Sequence, residues 1–170
     1  LYYMAEFARN LAGKHISRKR ITPEQLLENI FISRAFTCYQ MEAVITDRLP
    51  AFVQKKHSPV VLIFGLLDTF YDEQAPLFEV KASVERIINA LHQLKQQNIS
   101  VLLASMDMKL ESKERNQLFP RVASAMDSVM GVVEEAEGVR LVPDSNFIIR
   151  HSRFDIQYSQ RALSGGPHHG

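Results

Sequence analysis

Three polar segments follow three apolar runs, and they hold the side chains best suited to chemistry. Ser33-Arg34-Ala35-Phe36-Thr37-Cys38-Tyr39-Gln40 follows Ile30-Phe31-Ile32; Gly65-Leu66-Leu67-Asp68-Thr69-Phe70-Tyr71-Asp72-Glu73 follows Val60 to Phe64; Ser105-Met106-Asp107 follows Ile99 to Ala104. If the apolar runs are parallel strands, these segments lie beyond their carboxyl ends, where open α/β sheets bind ligands. A guanidinium (Arg34), an amide (Gln40), a carboxylate (Asp68) and a hydroxyl (Ser105) would then meet on one edge. Each alone reads first as a polar loop residue or a helix cap, so it is their convergence that defines a candidate site.

A second kind of chemistry is available from Lys109 to Arg121, where Lys109, Lys113, Arg115 and Arg121 surround Phe119. Cations there can neutralise phosphates and the ring can stack on a base, the combination that holds single-stranded DNA. Glu111 and Glu114 cancel half of that charge, and a solvated loop accounts for the same residues. Arg18-Lys19-Arg20 reads as a solvated link. Cys38 has no evident base beside it in the pattern, which makes it a small buried hydrophobe rather than a nucleophile. His168 and His169 stand in a turn-rich Gly165–Gly170 end and are read as a flexible tail, with no metal expected.

The elements that must position these groups follow from periodicity. Tyr3, Met4, Phe7, Ala8 and Leu11 predict an opening helix whose Tyr2, Tyr3 and Phe7 cover the sheet, and Thr22-Pro23-Glu24-Gln25 starts a short helix through Leu27. Ile30-Phe31-Ile32 predicts a strand, followed by a helix from Tyr39 to Arg48 that Pro50 interrupts. Val60 to Phe64 is uniformly apolar and predicts a central strand covered on both faces. Val84, Ile87, Ile88, Leu91 and Leu94 mark an amphipathic helix stopped at Asn98, and Ile99 to Ala104 a second buried strand, so that a crossover joins two parallel strands. Lys109 to Arg121 reads as a loop or a partly helical excursion. Val129 to Glu134, Val139 to Val142 and Phe147 to Arg150 predict a meander on the sheet edge.

The predicted class is α/β, a mostly parallel central sheet flanked by helices with an antiparallel C-terminal edge. With 170 residues the chain suits one compact core over 1–150 and an extension over 151–170, flexible at 164–170. Hydrophobic residues make up 46% and the formal charge is +1, so any nucleic-acid contact must be local. The one cysteine excludes a disulfide framework and a multi-thiolate metal site and fits a cytoplasmic protein. No apolar run nears the ~20 residues of a membrane span, so no membrane partner is expected.

Residues Ile30 to Gln40 resemble the strand, Arg-Ala-Phe turn and following glutamine of the RadA branch of RecA-like recombinases. The succession is similar too. Val60 to Tyr71 stands in the place of that family's Walker B strand and loop, Val84 to Leu94 of the next helix, Ile99 to Met106 of the next strand, and Lys109 to Arg121 of its second DNA-binding loop. The likeness runs from about residue 3 to residue 142. It implies a partial RecA-like core linked to DNA recombination or repair. It also implies ATP and Mg²⁺ as cofactors of the intact parent, with Arg34, Gln40 and Asp68 on the cofactor and Asp68 and Ser105 as catalytic groups. Single-stranded DNA, further copies of the chain or a RecA-like protein are the partners it implies.

The departures bear on function as much as the likeness. The chain contains no G-x-x-x-x-G-K-[ST] loop to hold the β- and γ-phosphates, and with Leu1 as its first residue it reads as an N-terminally cut core. Such a chain is not expected to hydrolyse ATP on its own. Gly65 stands where the resemblance implies the terminal Walker B aspartate, with Asp68 the nearest carboxylate; Met106 replaces a phosphate-sensing glutamine and cannot donate its hydrogen bond. A non-catalytic RecA-fold module that regulates or binds another protein is the alternative reading, and a DNA-binding module without turnover is a third.

Overall fold

The structure, a computed structural model, describes residues 23–106, 108–135 and 138–143. It is a mixed α/β arrangement with a two-stranded parallel sheet, helices against it, and a separate antiparallel pair. Helix α1 spans Pro23–Leu27, opening on a proline whose fixed φ suits a first helical turn. The predicted helix at Tyr3–Leu11, the strand at Phe147–Arg150 and the extension over 151–170 lie outside the described residues.

Ile30-Phe31-Ile32 does not form the predicted strand: residues 30–35 carry no regular structure, and Phe31 and Ile32 are exposed. A triplet has no strength without a ladder partner, and this one is held by side chains instead. The Phe31 ring meets Phe52 edge-on at 5.1 Å, with Lys56 Nζ 4.5 Å above the Phe31 ring.

Helix α2, Cys38–Ala43, begins at Thr37, whose hydroxyl accepts from the Gln40 backbone N–H at 3.2 Å. Gln40 Oε1 in return accepts from Phe36 N–H at 2.9 Å, so Thr37 and Gln40 satisfy two orphan donors reciprocally, in the manner of a capping box. Pro50 does not end the helix as predicted. Val44–Arg48 forms a π-helical turn in which Leu49 N–H reaches back five residues to the Val44 carbonyl, and α3, Leu49–Lys56, continues from it. The wider turn accommodates a ring that lacks an N–H and would otherwise crowd the preceding carbonyl.

Strand β1, Val60–Phe64, and strand β2, Ser100–Ala104, pair in parallel with Val60 opposite Ser100 and Phe64 opposite Ala104. Helix α4, Leu77–Gln96, is the crossover that parallel pairing requires, and it buries Val80, Val84, Ile87, Ile88, Leu91 and Leu94 along one stripe. Its stop is a Schellman motif: Asn98 is left-handed at φ 60°, its N–H bonds the Lys95 carbonyl, and Ile99 N–H bonds the Leu94 carbonyl. His57, at φ 51°, ends α3 in the same way, so each strand is entered from a helix through one left-handed residue.

Among the described residues the sheet is covered on one face, not two. Val61 and Ile63 join the core with Leu66, Leu67, Phe70, Ile87 and Leu94, whereas Val60, Leu62, Phe64 and Leu102 are exposed. A 3₁₀ turn at Arg115–Gln117 leads into α5, Leu118–Ala123, whose Leu118 and Val122 pack on the same core. Strands β3, Met130–Glu135, and β4, Gly138–Pro143, pair antiparallel with each other. Among the described strands they form their own sheet and do not extend the parallel one, so the predicted antiparallel edge is corrected to a separate two-stranded hairpin. Among the described residues no helix is long and apolar enough to cross a membrane.

Candidate functional site at the strand ends

The carboxyl ends of β1 and β2 are fastened together one residue beyond the strands, where Gly65 N–H donates to the Ala104 carbonyl at 2.8 Å. There the chain turns sharply. Gly65 has φ +64°, in the region that costs other L-residues energy, and Asp68 N–H closes the turn on the Gly65 carbonyl at 3.2 Å. Leu66 and Leu67, both buried, pin the turn into the core.

That geometry folds the exposed Asp68 side chain back over residue 65. A Cβ placed on Gly65 would meet Asp68 Oδ2 far inside contact distance, with Asp68 Cγ 3.1 Å away. The carboxylate thus reaches the place from which a residue-65 side chain would grow. Two hydroxyl oxygens in the same strand-end segments, Thr69 Oγ1 and Ser105 Oγ, are buried without a hydrogen-bond partner. Buried hydroxyls of this kind normally have one. Ser105 directly follows Ala104, and Met106 beyond it is exposed at 66%. Thr69 was not among the residues singled out from sequence. A threonine in a polar loop carries no signal until the fold buries it.

Arg34 and Gln40 are not brought to Asp68 or Ser105 by any hydrogen bond or ion pair. Arg34 is exposed on the segment before α2, and the Gln40 carbonyl oxygen is committed to the cap at Phe36.

The basic segment divides. Arg115 is buried at 4%, donating through Nη1 to the Phe70 carbonyl at 2.6 Å and through Nη2 to the Ala75 carbonyl, and is therefore withdrawn from nucleic acid. Arg121 forks onto Glu85 at 2.6 and 2.5 Å, which raises its pKa, and Phe119 packs against the core. Lys109 and Lys113 remain exposed, and they are the pair still presented to solvent for a polyanion.

One feature had no sequence signal, because its residues come from two helices. A groove of about 550 Å³ lies between the α2/π-turn segment and α4, lined by Tyr39, Glu42, Thr46, Asp47, Arg86 and Asn89. Arg86 forks onto Glu42 and holds its carboxyl below the ordinary value, while Tyr39 Oη donates to Glu79 at 2.5 Å, a bond that pushes the phenol up to about 12. These contacts tie the two helices together. Among the described residues, no group of three or more His, Cys, Asp and Glu side chains could by itself hold a metal.

Comparison of the chain with protein-family models, with curated proteins and with solved structures returns no match. The functional reading therefore rests on the residues and their geometry.

Proposed function

We propose that this chain is a RecA/RadA-like ATPase core segment, linked to DNA recombination or repair, that is not competent for ATP hydrolysis on its own. The observation that carries the reading is the return of the Asp68 carboxylate to the base of residue 65 at the end of β1. Gly65 stands where the resemblance implies an aspartate, and the turn it makes brings the carboxylate of Asp68, three residues later, back over residue 65. The partnerless hydroxyls of Thr69, next to Asp68, and of Ser105, just past the end of the paired strand, are oxygen groups of the right hardness for the same cation.

These residues fit the cation half of a Mg-ATP site. Mg²⁺ commonly takes one or two protein carboxylates and completes its shell with water and nucleotide phosphates, which agrees with a single carboxylate here. They do not supply the phosphate cradle, because the sequence has no glycine-rich loop ending in Lys-Ser/Thr. When bound, the cation would neutralise phosphate charge; Asp68 would hold its water shell, and Ser105 would orient it.

The test is Mg-ATP binding by the full-length gene product beside its Asp68→Ala variant. Mg²⁺-dependent binding that Asp68→Ala removes is the expected result. Binding indifferent to Asp68, or none at all, would sink the reading.

The alternative, a non-catalytic RecA-fold module that binds another protein, draws support from the apolar face of Val60, Leu62, Phe64 and Leu102, exposed among the described residues, and from exposed Met106. Full-length protein that hydrolyses ATP at a rate abolished by Asp68→Ala would rule it out.

A further inference from the structure

Among the described residues Arg115 is the one charged side chain that is buried, and no carboxylate pairs with it. A buried guanidinium facing only carbonyl dipoles is an unfavourable way to fill space, since an apolar side chain of similar volume carries no desolvation penalty. What the guanidinium adds is its planar fork. Nη1 takes the Phe70 carbonyl and Nη2 the Ala75 carbonyl, closing Tyr71 to Gln74 into a loop held at both ends.

Phe70 lies two residues past Asp68. Its N–H and that of Tyr71 both bond the Leu67 carbonyl, and Asp68 N–H bonds the Gly65 carbonyl, so two overlapping backbone turns, held by three hydrogen bonds, connect the clamped carbonyl to the carboxylate. Arg115 is held from its own side as well. Its N–H bonds Ser112 Oγ at 3.2 Å, and the Asn116 amide spans Leu110, accepting from its N–H at 2.8 Å and donating to its carbonyl at 2.9 Å. The segment after β2 is thus a built anchor for the loop after β1.

We infer that Arg115 is a positioning residue: from beyond β2 it fixes the loop that carries Asp68 and so places the carboxylate at the strand ends. The role in cation binding rests on the reading of Asp68 given above; the clamp on the loop does not.

Hydrogen exchange on the 170-residue chain tests the clamp, comparing Arg115→Met and Arg115→Lys with the unaltered protein. Amides 66–75 are expected to exchange about tenfold faster in Arg115→Met, as loss of a charged hydrogen-bond pair implies, while amides 84–91 of α4 stay unchanged. Arg115→Lys, which keeps the charge but not the fork, is expected to fall between, and it carries the comparison if the methionine variant does not fold. No acceleration, or equal acceleration in α4, overturns the clamp.

The functional half is read in the full-length gene product. Arg115→Lys is expected to weaken the Mg²⁺-dependent part of ATP binding while metal-free binding holds. A loosened loop with unchanged Mg-ATP affinity overturns the positioning role and leaves the Asp68 reading intact. Absence of Asp68-dependent binding in the unaltered protein overturns that reading, and the positioning role in cation binding with it, while a loosened loop in the exchange experiment still upholds the clamp.

Discussion

Gly65 and Asp68 share one place: the Asp68 carboxylate lies over the α-carbon of Gly65, where any other residue would put its side chain. The glycine is required by its φ of +64°, and any side chain added there would also have to turn the carboxylate aside. A position that looks like the loss of an acidic residue is, in the folded chain, the seat of an acidic group from the next turn.

Gly65→Ala accordingly lowers stability by about 2 kcal/mol, combining left-handed strain with displacement of Asp68. In an Asp68→Ala background the same change costs about 1 kcal/mol, because only the strain remains. Urea denaturation of the four proteins measures this coupling, and strictly additive losses would mean that the two residues do not compete for space.

On the reading that this segment meets single-stranded DNA, neutralising Lys109 and Lys113 to glutamine is expected to leave stability within about 0.5 kcal/mol and to lower the salt dependence of binding by about 0.7 in slope per lysine; no salt-dependent binding, or a slope unchanged by the substitutions, removes that reading. Arg121→Gln breaks a fork to Glu85 instead and does not alter that slope. Fluorescence titration of a labelled oligonucleotide at several salt concentrations separates the two.

The Arg86 fork on Glu42 gives a pH signature. Hydrogen bonding to Arg86 lowers the Glu42 pKa from its ordinary 4.5, so the stability this carboxylate contributes is present above pH 4.5 and is lost as pH falls through the lower folded value. Glu42→Gln is expected to flatten that part of the acid limb, read by denaturation at a series of pH values. A limb unchanged by the substitution would show that other carboxylates govern it.

The two faces of β1 should respond unequally. Ile63→Ala, in the core, costs about 2–4 kcal/mol, whereas Leu62→Ala, on the open face at 52% exposure, costs under about 1 kcal/mol. Equal losses would mean that Leu62 is covered in solution.

Much of the architecture was legible where one physical signal dominated. The stripe from Val84 to Leu94 and the stop at Asn98 returned as α4 and its Schellman motif, and the two strongest apolar runs returned as a parallel pair. What failed did so where context decides. Ile30-Phe31-Ile32 has strand-forming residues and no described partner strand, Pro50 is rescued by a π-turn that leaves no mark in sequence, and the uniform apolarity of Val60 to Phe64 cannot say that no described residue covers its second face. The site divides the same way. Asp68 and Ser105 could be chosen because they follow strands. Arg115 could not be told from a phosphate-binding arginine, since burial and carbonyl partners 40 and 45 residues away are invisible along the chain.

On the proposed reading, a divalent cation bound with nucleotide sits at the Asp68 carboxylate. Paramagnetic broadening by Mn²⁺-ATP in the full-length gene product tests it most directly. The amide signals of Gly65, Asp68, Thr69 and Ser105 are expected to broaden first, and Asp68→Asn is expected to abolish the effect. Mn²⁺-ATP that binds while leaving those four signals sharp would contradict it.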